Sequence, residues 1–73
     1  MEREELEEKV EEIQQTQTYF AVYIFSAVIY AEDYSIENEN TYKKLYLYCC
    51  GYLYCCGYMI AELYLEDVEG VDY

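Results

Sequence analysis

Histidine is absent from this chain, and basic residues are scarce: four Lys and Arg stand against sixteen Asp and Glu in 73 residues, a net charge of −12. Each shortage excludes something. Without histidine, the usual general base, metal ligand and catalytic-triad member are unavailable. With so few cations the chain cannot neutralise a run of phosphates, the step that supplies most nucleic-acid affinity. Its own field also repels nucleic acid and anionic membranes. A glycine-rich phosphate loop is missing, since Gly51 and Gly57 have no Lys or Ser/Thr where such a site needs them. A thioredoxin-like C-x-x-C is missing too.

Long apolar runs are equally short in supply. The stretch 19–31 falls below the roughly 17–25 residues of a spanning helix. The stretch 45–61 is long enough but holds five tyrosines and two glycines, with no Lys/Arg cluster after it. The glutamate-rich start is unlike a secretory signal. The expectations are no membrane partner and a cytoplasmic location, the host cytoplasm if the chain is viral. Two carboxylates can do hydrolytic work, but so short a chain has little room for a cleft around them. The chain is therefore expected not to be an enzyme and to use no cofactor.

What is present is apolar and aromatic. Hydrophobic residues make up 55% of the chain, twelve tyrosines and two phenylalanines among them, which sets it apart from disordered acidic sequences. Residues 1–73 read as one small domain. Chains of this size bury only about 60% of their unfolded surface, so a second copy is a natural support and a homodimer is expected.

The spacing predicts a mixed α+β fold. Residues 2–15 form an acidic helix whose stripe Leu6, Val10, Ile13 is too narrow to stand alone and must dock. At Thr16–Thr18 the composition turns β-branched and aromatic, so 17–34 and 41–57 read as the strands of a long tyrosine-rich antiparallel hairpin. The polar stretch Ser35–Asn40 serves as its turn. Pairing Asp33 with Lys43 brings Glu32 opposite Lys44 and Tyr30 opposite Tyr46, two opposite-charge pairs and an aromatic pair. Residues 59–69 return to helical spacing through Ile60, Leu63, Tyr64 and Val68, with Gly70 as its cap and 70–73 as a frayed tail. A third strand at 59–66 competes with that short C-terminal helix, and an all-α hairpin is the runner-up for the whole.

The hexapeptide Leu-Tyr-Cys-Cys-Gly-Tyr occurs at 47–52 and again at 53–58. Its even period suits a strand, bent at Gly51 and ended near Gly57. Adjacent cysteines on a strand point to opposite faces, which opposes a tetrahedral metal site unless the chain reverses tightly at Gly51. Cys49, Cys50, Cys55 and Cys56 are accordingly read as small apolar fillers, and no metal is expected.

The acidic residues are the remaining functional candidates. Residues 1–15 and 59–73 each carry a net charge of −5. Glu pairs 4/8, 8/12 and 7/11 sit at i, i+4, where like charges repel by a few tenths of a kcal/mol. Carboxylates about 5–6 Å apart can imitate successive phosphates. The favoured reading is a small acidic binding protein, a DNA mimic of the kind small viral inhibitors use. It would block the basic groove of a nucleic-acid-binding protein through Glu4, Glu8, Glu11, Glu12, Glu62, Glu66, Asp67 and Glu69. The alternative is a structural protein that assembles a homo-oligomer through its helix or its tyrosine-rich sheet. A membrane-associated or metal/redox cysteine protein ranks below both.

Overall fold

The computed structural model describes residues 1–39, 41–51 and 54–73, with side chains described for 1–38, 41–49 and 58–73. The fold is mixed α+β and mostly β. Helix α1 (Arg3–Ile13) is followed by strands β1 (Phe20–Ile24), β2 (Ala27–Ala31), β3 (Asp33–Glu39), β4 (Tyr42–Gly51) and β5 (Tyr54–Tyr64). A 3-10 turn at Leu65–Asp67 leads into β6 (Val68–Asp72). Two three-stranded antiparallel sheets result, in the orders β2-β1-β6 and β3-β4-β5.

The sheets share a strand in all but name. Glu32 alone separates β2 from β3, and its N–H donates to the Tyr48 carbonyl at 2.8 Å. The backbone thus leaves one ladder and joins the other without a turn. The core lies between the two layers and under the helix. Leu6, Val10 and Ile13 meet Phe20 and Val22 of β1, Ala31, Leu45 and Leu47, Leu65, and Val68 and Val71. The Tyr34 ring stands edge-on to Phe20 at 6.2 Å between centroids. Among the described residues no polar or charged residue is buried.

The helical stripe therefore docks within its own chain. Its N-terminal end is held by the Met1 ammonium, which donates to the Leu65 and Val68 carbonyls at 3.1 and 3.2 Å. Its C-terminal end is held by Gln14, whose side-chain amide donates to the Glu32 carbonyl at 2.6 Å. Glu4 and Glu5 in the first turn complement the partial positive charge of the helix start.

Several expected elements are replaced. The strand expected at 17–34 is a hairpin, β1 and β2, turning at Phe25–Ser26 between paired Ile24 and Ala27. Phe25 takes φ of 52°, a left-handed conformation costing a non-glycine residue about 1 kcal/mol. No Gly, Asn or Asp marks that turn, which is why composition misses it. Most of the polar stretch 35–40 is strand, not turn: Ser35–Glu39 belongs to β3, where Tyr34 and Ile36 pack inward and Glu37 is exposed. The register moves accordingly. Lys44 pairs with Glu37, Lys43 with Asn38 and Tyr46 with Ser35, while Tyr30 faces Ala21.

At the C-terminal end the helix expected at 59–69 is only the 3-10 turn, flanked by β5 and β6. Gly70 is a strand residue beside Tyr23, and the expected tail is paired with β1 through Asp72. The hexapeptide repeat does not run along one strand either. It is divided between β4 and β5, whose antiparallel pairing sets Cys49 opposite Tyr58 and Cys50 opposite Gly57.

Candidate functional site

The acidic helix shows its candidates where the docking geometry leaves them. With Leu6, Val10 and Ile13 inward, 100° per residue turns Glu4, Glu8 and Glu11 to the opposite side. All three are exposed, as is Glu12. The flanks differ. Tyr34 of β3 is half-buried against the core, and burial followed by the Glu7 charge raises its hydroxyl above the ordinary pKa. Arg3 Nε donates to Glu7 at 2.7 Å, an exposed pair one turn apart that contributes little. On the other flank, Lys9 and Glu12 line a groove of about 530 Å³ with Asp72 and Tyr73.

The second acidic segment divides. Glu66 joins the helix start, lining a groove of about 350 Å³ with Glu2, Arg3, Tyr42 and Lys43. Asp67 is half-buried in the 3-10 turn and Glu69 is exposed on β6, the strand against which α1 packs. Glu62 goes elsewhere. It lies on β5, where it accepts a 2.6 Å ion pair from Lys44 of β4. Lys44 also stands 5.9 Å from the Tyr64 ring centroid, and that ring packs against Tyr42. Seven of the eight candidates thus belong to α1, the 3-10 turn and β6, and the eighth is tied to a cation on the other sheet. The mixed groove of Arg3, Lys43, Glu2 and Glu66 had no signature in sequence, because nothing local relates residue 3 to residue 43.

The tyrosines gather on a different surface. Directly opposed residues of β1 and β2 share a face, so Ala21 and Tyr23 stand with Tyr30 and Val28 on the outer side of their sheet. Tyr19 continues that row toward Glu32, whose hydrogen bond and charge raise the Tyr19 hydroxyl above its ordinary pKa. Cys49 Sγ makes a weak 3.6 Å contact with the Tyr30 carbonyl. The cysteine expectation falls largely outside the described residues, which exclude the side chains of Cys50, Cys55 and Cys56. Among the described residues, no group of three or more His, Cys, Asp or Glu is arranged to hold a metal ion. No helix among them is long and apolar enough to cross a membrane.

Among the candidate acids all but half-buried Asp67 are exposed, and both grooves are lined by charged side chains of either sign. Compared with family models, curated proteins and solved structures, the chain finds no match in any of the three.

Proposed function

We propose that this chain is a non-catalytic acidic binding protein that offers the outer side of α1, with the neighbouring 3-10 turn and β6, to the basic groove of a nucleic-acid-binding protein. One observation carries the reading. The apolar stripe of the helix is consumed by the core, so Glu4, Glu8, Glu11 and Glu12 are left outward on a rigid support. Like charges one turn apart cost helix stability, and a docked helix can carry that cost where an isolated one cannot. The partner's basic groove supplies the countercharge, and the nucleic acid it would otherwise hold is excluded. The helix is a poor assembly element for the same reason, having no apolar residue left to share.

The test is competition at two salt concentrations. A basic nucleic-acid-binding domain captured by the wild type should be released by its own nucleic acid. Its affinity should fall at least about tenfold between roughly 0.05 and 0.2 M salt. The combined variant Glu4→Gln, Glu8→Gln, Glu11→Gln, Glu12→Gln should bind at least about tenfold more weakly, chiefly through slower association. Glu66→Gln with Glu69→Gln should add to that loss, whereas Glu62→Gln should add little. Salt-independent binding, or nucleic acid bound alongside this protein, refutes the mimic.

A further inference from the structure

We propose that the end of the β4–β5 hairpin is a thiolate site for one soft divalent cation of the zinc class, bound through Cys49, Cys50, Cys55 and Cys56. None of the acidic candidates takes part. Spacing alone opposes such a site unless the chain turns back at Gly51, because neighbours in a regular strand alternate faces. The ladder meets that condition: β4 and β5 are antiparallel, and Gly51 pairs with Tyr54.

The register also removes the alternation. Cys50 and Gly51 are consecutive, yet their partners are Gly57 and Tyr54, so Cys55 and Cys56 form a two-residue insertion opposite a single step of β4. A bulge breaks the strict order of faces in a strand. Cys49, paired with Tyr58, is one rung further along. The four backbone positions therefore lie within about two rungs, on the order of 8 Å. All four cysteines of the chain are gathered there, although none is the ladder partner of another. Offset positions suit a shared ion better than disulfides. A disulfide needs sulfurs about 2.05 Å apart, whereas Zn–S bonds of about 2.3 Å hold tetrahedral sulfurs about 3.8 Å apart.

Packing supplies the second line of support. Apolar fillers require a core to fill. Among the described residues, the core takes nothing from β4 beyond Leu47 and nothing from β5 before Ala61. Tyr58, Met59 and Ile60 are exposed by 58%, 52% and 40%. The ladder with β3 ends at Tyr48, and past it β4 is paired with β5 alone among the described residues. A two-stranded ribbon with no core beneath it is marginal in water, and a bound metal is one of the staples that small domains use. Cys49, whose side chain is described, is a half-buried free thiol. The net charge of −12 draws cations in, and without histidine the soft ligands on offer are these thiols. Each thiol releases its proton to solvent as its sulfur–metal bond forms, and no electron moves.

The experiment is titration of the full chain, kept reduced by a non-thiol reductant, with Co²⁺ and then Zn²⁺. One Co²⁺ per chain should bind with a sulfur-to-metal charge-transfer band and the intense red-region bands of a tetrahedral thiolate site, and Zn²⁺ should displace it. Excess Ca²⁺, which prefers carboxylate oxygens, should not. Affinity should fall as the pH is lowered and protons compete for sulfur. Cys49→Ser, Cys50→Ser, Cys55→Ser and Cys56→Ser should each weaken Zn²⁺ binding at least about tenfold and diminish the charge-transfer band. Glu37→Gln, exposed on β3, should change neither. Should a serine variant fail to keep its far-ultraviolet spectrum, alkylation of the wild type decides, with Zn²⁺ expected to protect all four thiols together. Co²⁺ bound without the charge-transfer band, displacement by Ca²⁺, a reduced chain that takes up no metal, or serine variants with unchanged affinity each overturn the proposal. None of these readouts involves a basic partner, so this site and the acidic face fail separately.

Discussion

Helix α1 and the β1–β2 hairpin use the same hydrophobic effect to opposite ends. The helix has three apolar residues in eleven and buries all of them, so its outer surface is almost entirely carboxylate. The hairpin has so many apolar residues that one face fills the core with Phe20 and Val22 while the other is left with Tyr23, Val28 and Tyr30 in solvent. A helix with a narrow stripe has nothing to spare. A strand that is apolar on both faces, in a domain this thin, must expose one of them unless something else covers it. Two surfaces of contrasting chemistry on one small body follow from that difference in supply.

The contrast can be broken most forcefully at the buried stripe. Leu6→Ala should cost about 2–5 kcal/mol in urea denaturation, because Leu6 is fully buried and the surrounding layers cannot collapse onto the space. Tyr30→Ala, on the exposed hairpin face, should change stability by under about 1 kcal/mol. Equal losses at the two positions would mean that the hairpin face is covered in the folded monomer.

Phe25→Gly sharpens the comparison from the other side. Relief of the left-handed backbone should raise stability by about 0.5–1 kcal/mol, net of glycine's unfolded-state entropy. A lower melting temperature in this variant would place Phe25 among the packing residues of the hairpin.

A smaller effect belongs to the second sheet. A double-mutant cycle on Lys44 and Glu62 should give a coupling of roughly 0.2–1 kcal/mol, since both side chains are partly exposed. The same cycle on Lys44 and Glu32 should give none, because five residues of strand, about 16 Å, separate Glu32 from Glu37, the residue facing Lys44. Coupling between 32 and 44 would restore the shorter hairpin register.

The least effect is expected from alkali. Burial and the nearby Glu7 charge hold the Tyr34 hydroxyl protonated above its ordinary value of 10.0. Its contribution to stability is complete below about pH 10 and is lost as the pH climbs through the raised folded value. Tyr34→Phe should therefore reduce the alkaline loss of stability slightly, and the difference in absorbance near 295 nm between wild type and this variant should show Tyr34 ionising above its ordinary value. Early ionisation of Tyr34 would contradict its packing beneath α1.

How far the chain could be read in advance depended on how local each signal was. The helix was legible to within two residues at either end, because Leu6, Val10 and Ile13 repeat at helical spacing among strong helix formers. Its acidic candidates followed directly, since the inward stripe determines what faces out. The β character of 17–34 was legible from branched and aromatic residues, but its division into two strands was not. Phe25–Ser26 lacks the Gly, Asn or Asp that marks a tight turn, and Ser26 alone is a weak signal. Conversely, Ser35–Glu39 has turn chemistry that pairing with β4 overrides. At 59–69 an apolar spacing compatible with a helix was claimed by β4 and β1, whose open edges offered hydrogen bonds to β5 and β6. A tyrosine-rich sheet was legible from composition, but which tyrosines it turns outward was not, because that depends on where β1 ends and β2 begins.

By itself, the sequence determined the acidic helix, the α+β class, the absence of histidine and the segregation of charge toward the two ends. These are properties of composition and short-range spacing, which survive any arrangement of the parts. Only the tertiary structure decided the register of the strands, the change of sheet at Glu32 and the pairing of Glu62 with Lys44. Those depend on which backbone edges meet across tens of residues, and a strand edge offers the same donors and acceptors whatever its sequence. The choice among them is made by the shared core, where eleven side chains from the helix, both sheets and the 3-10 turn must be buried at once.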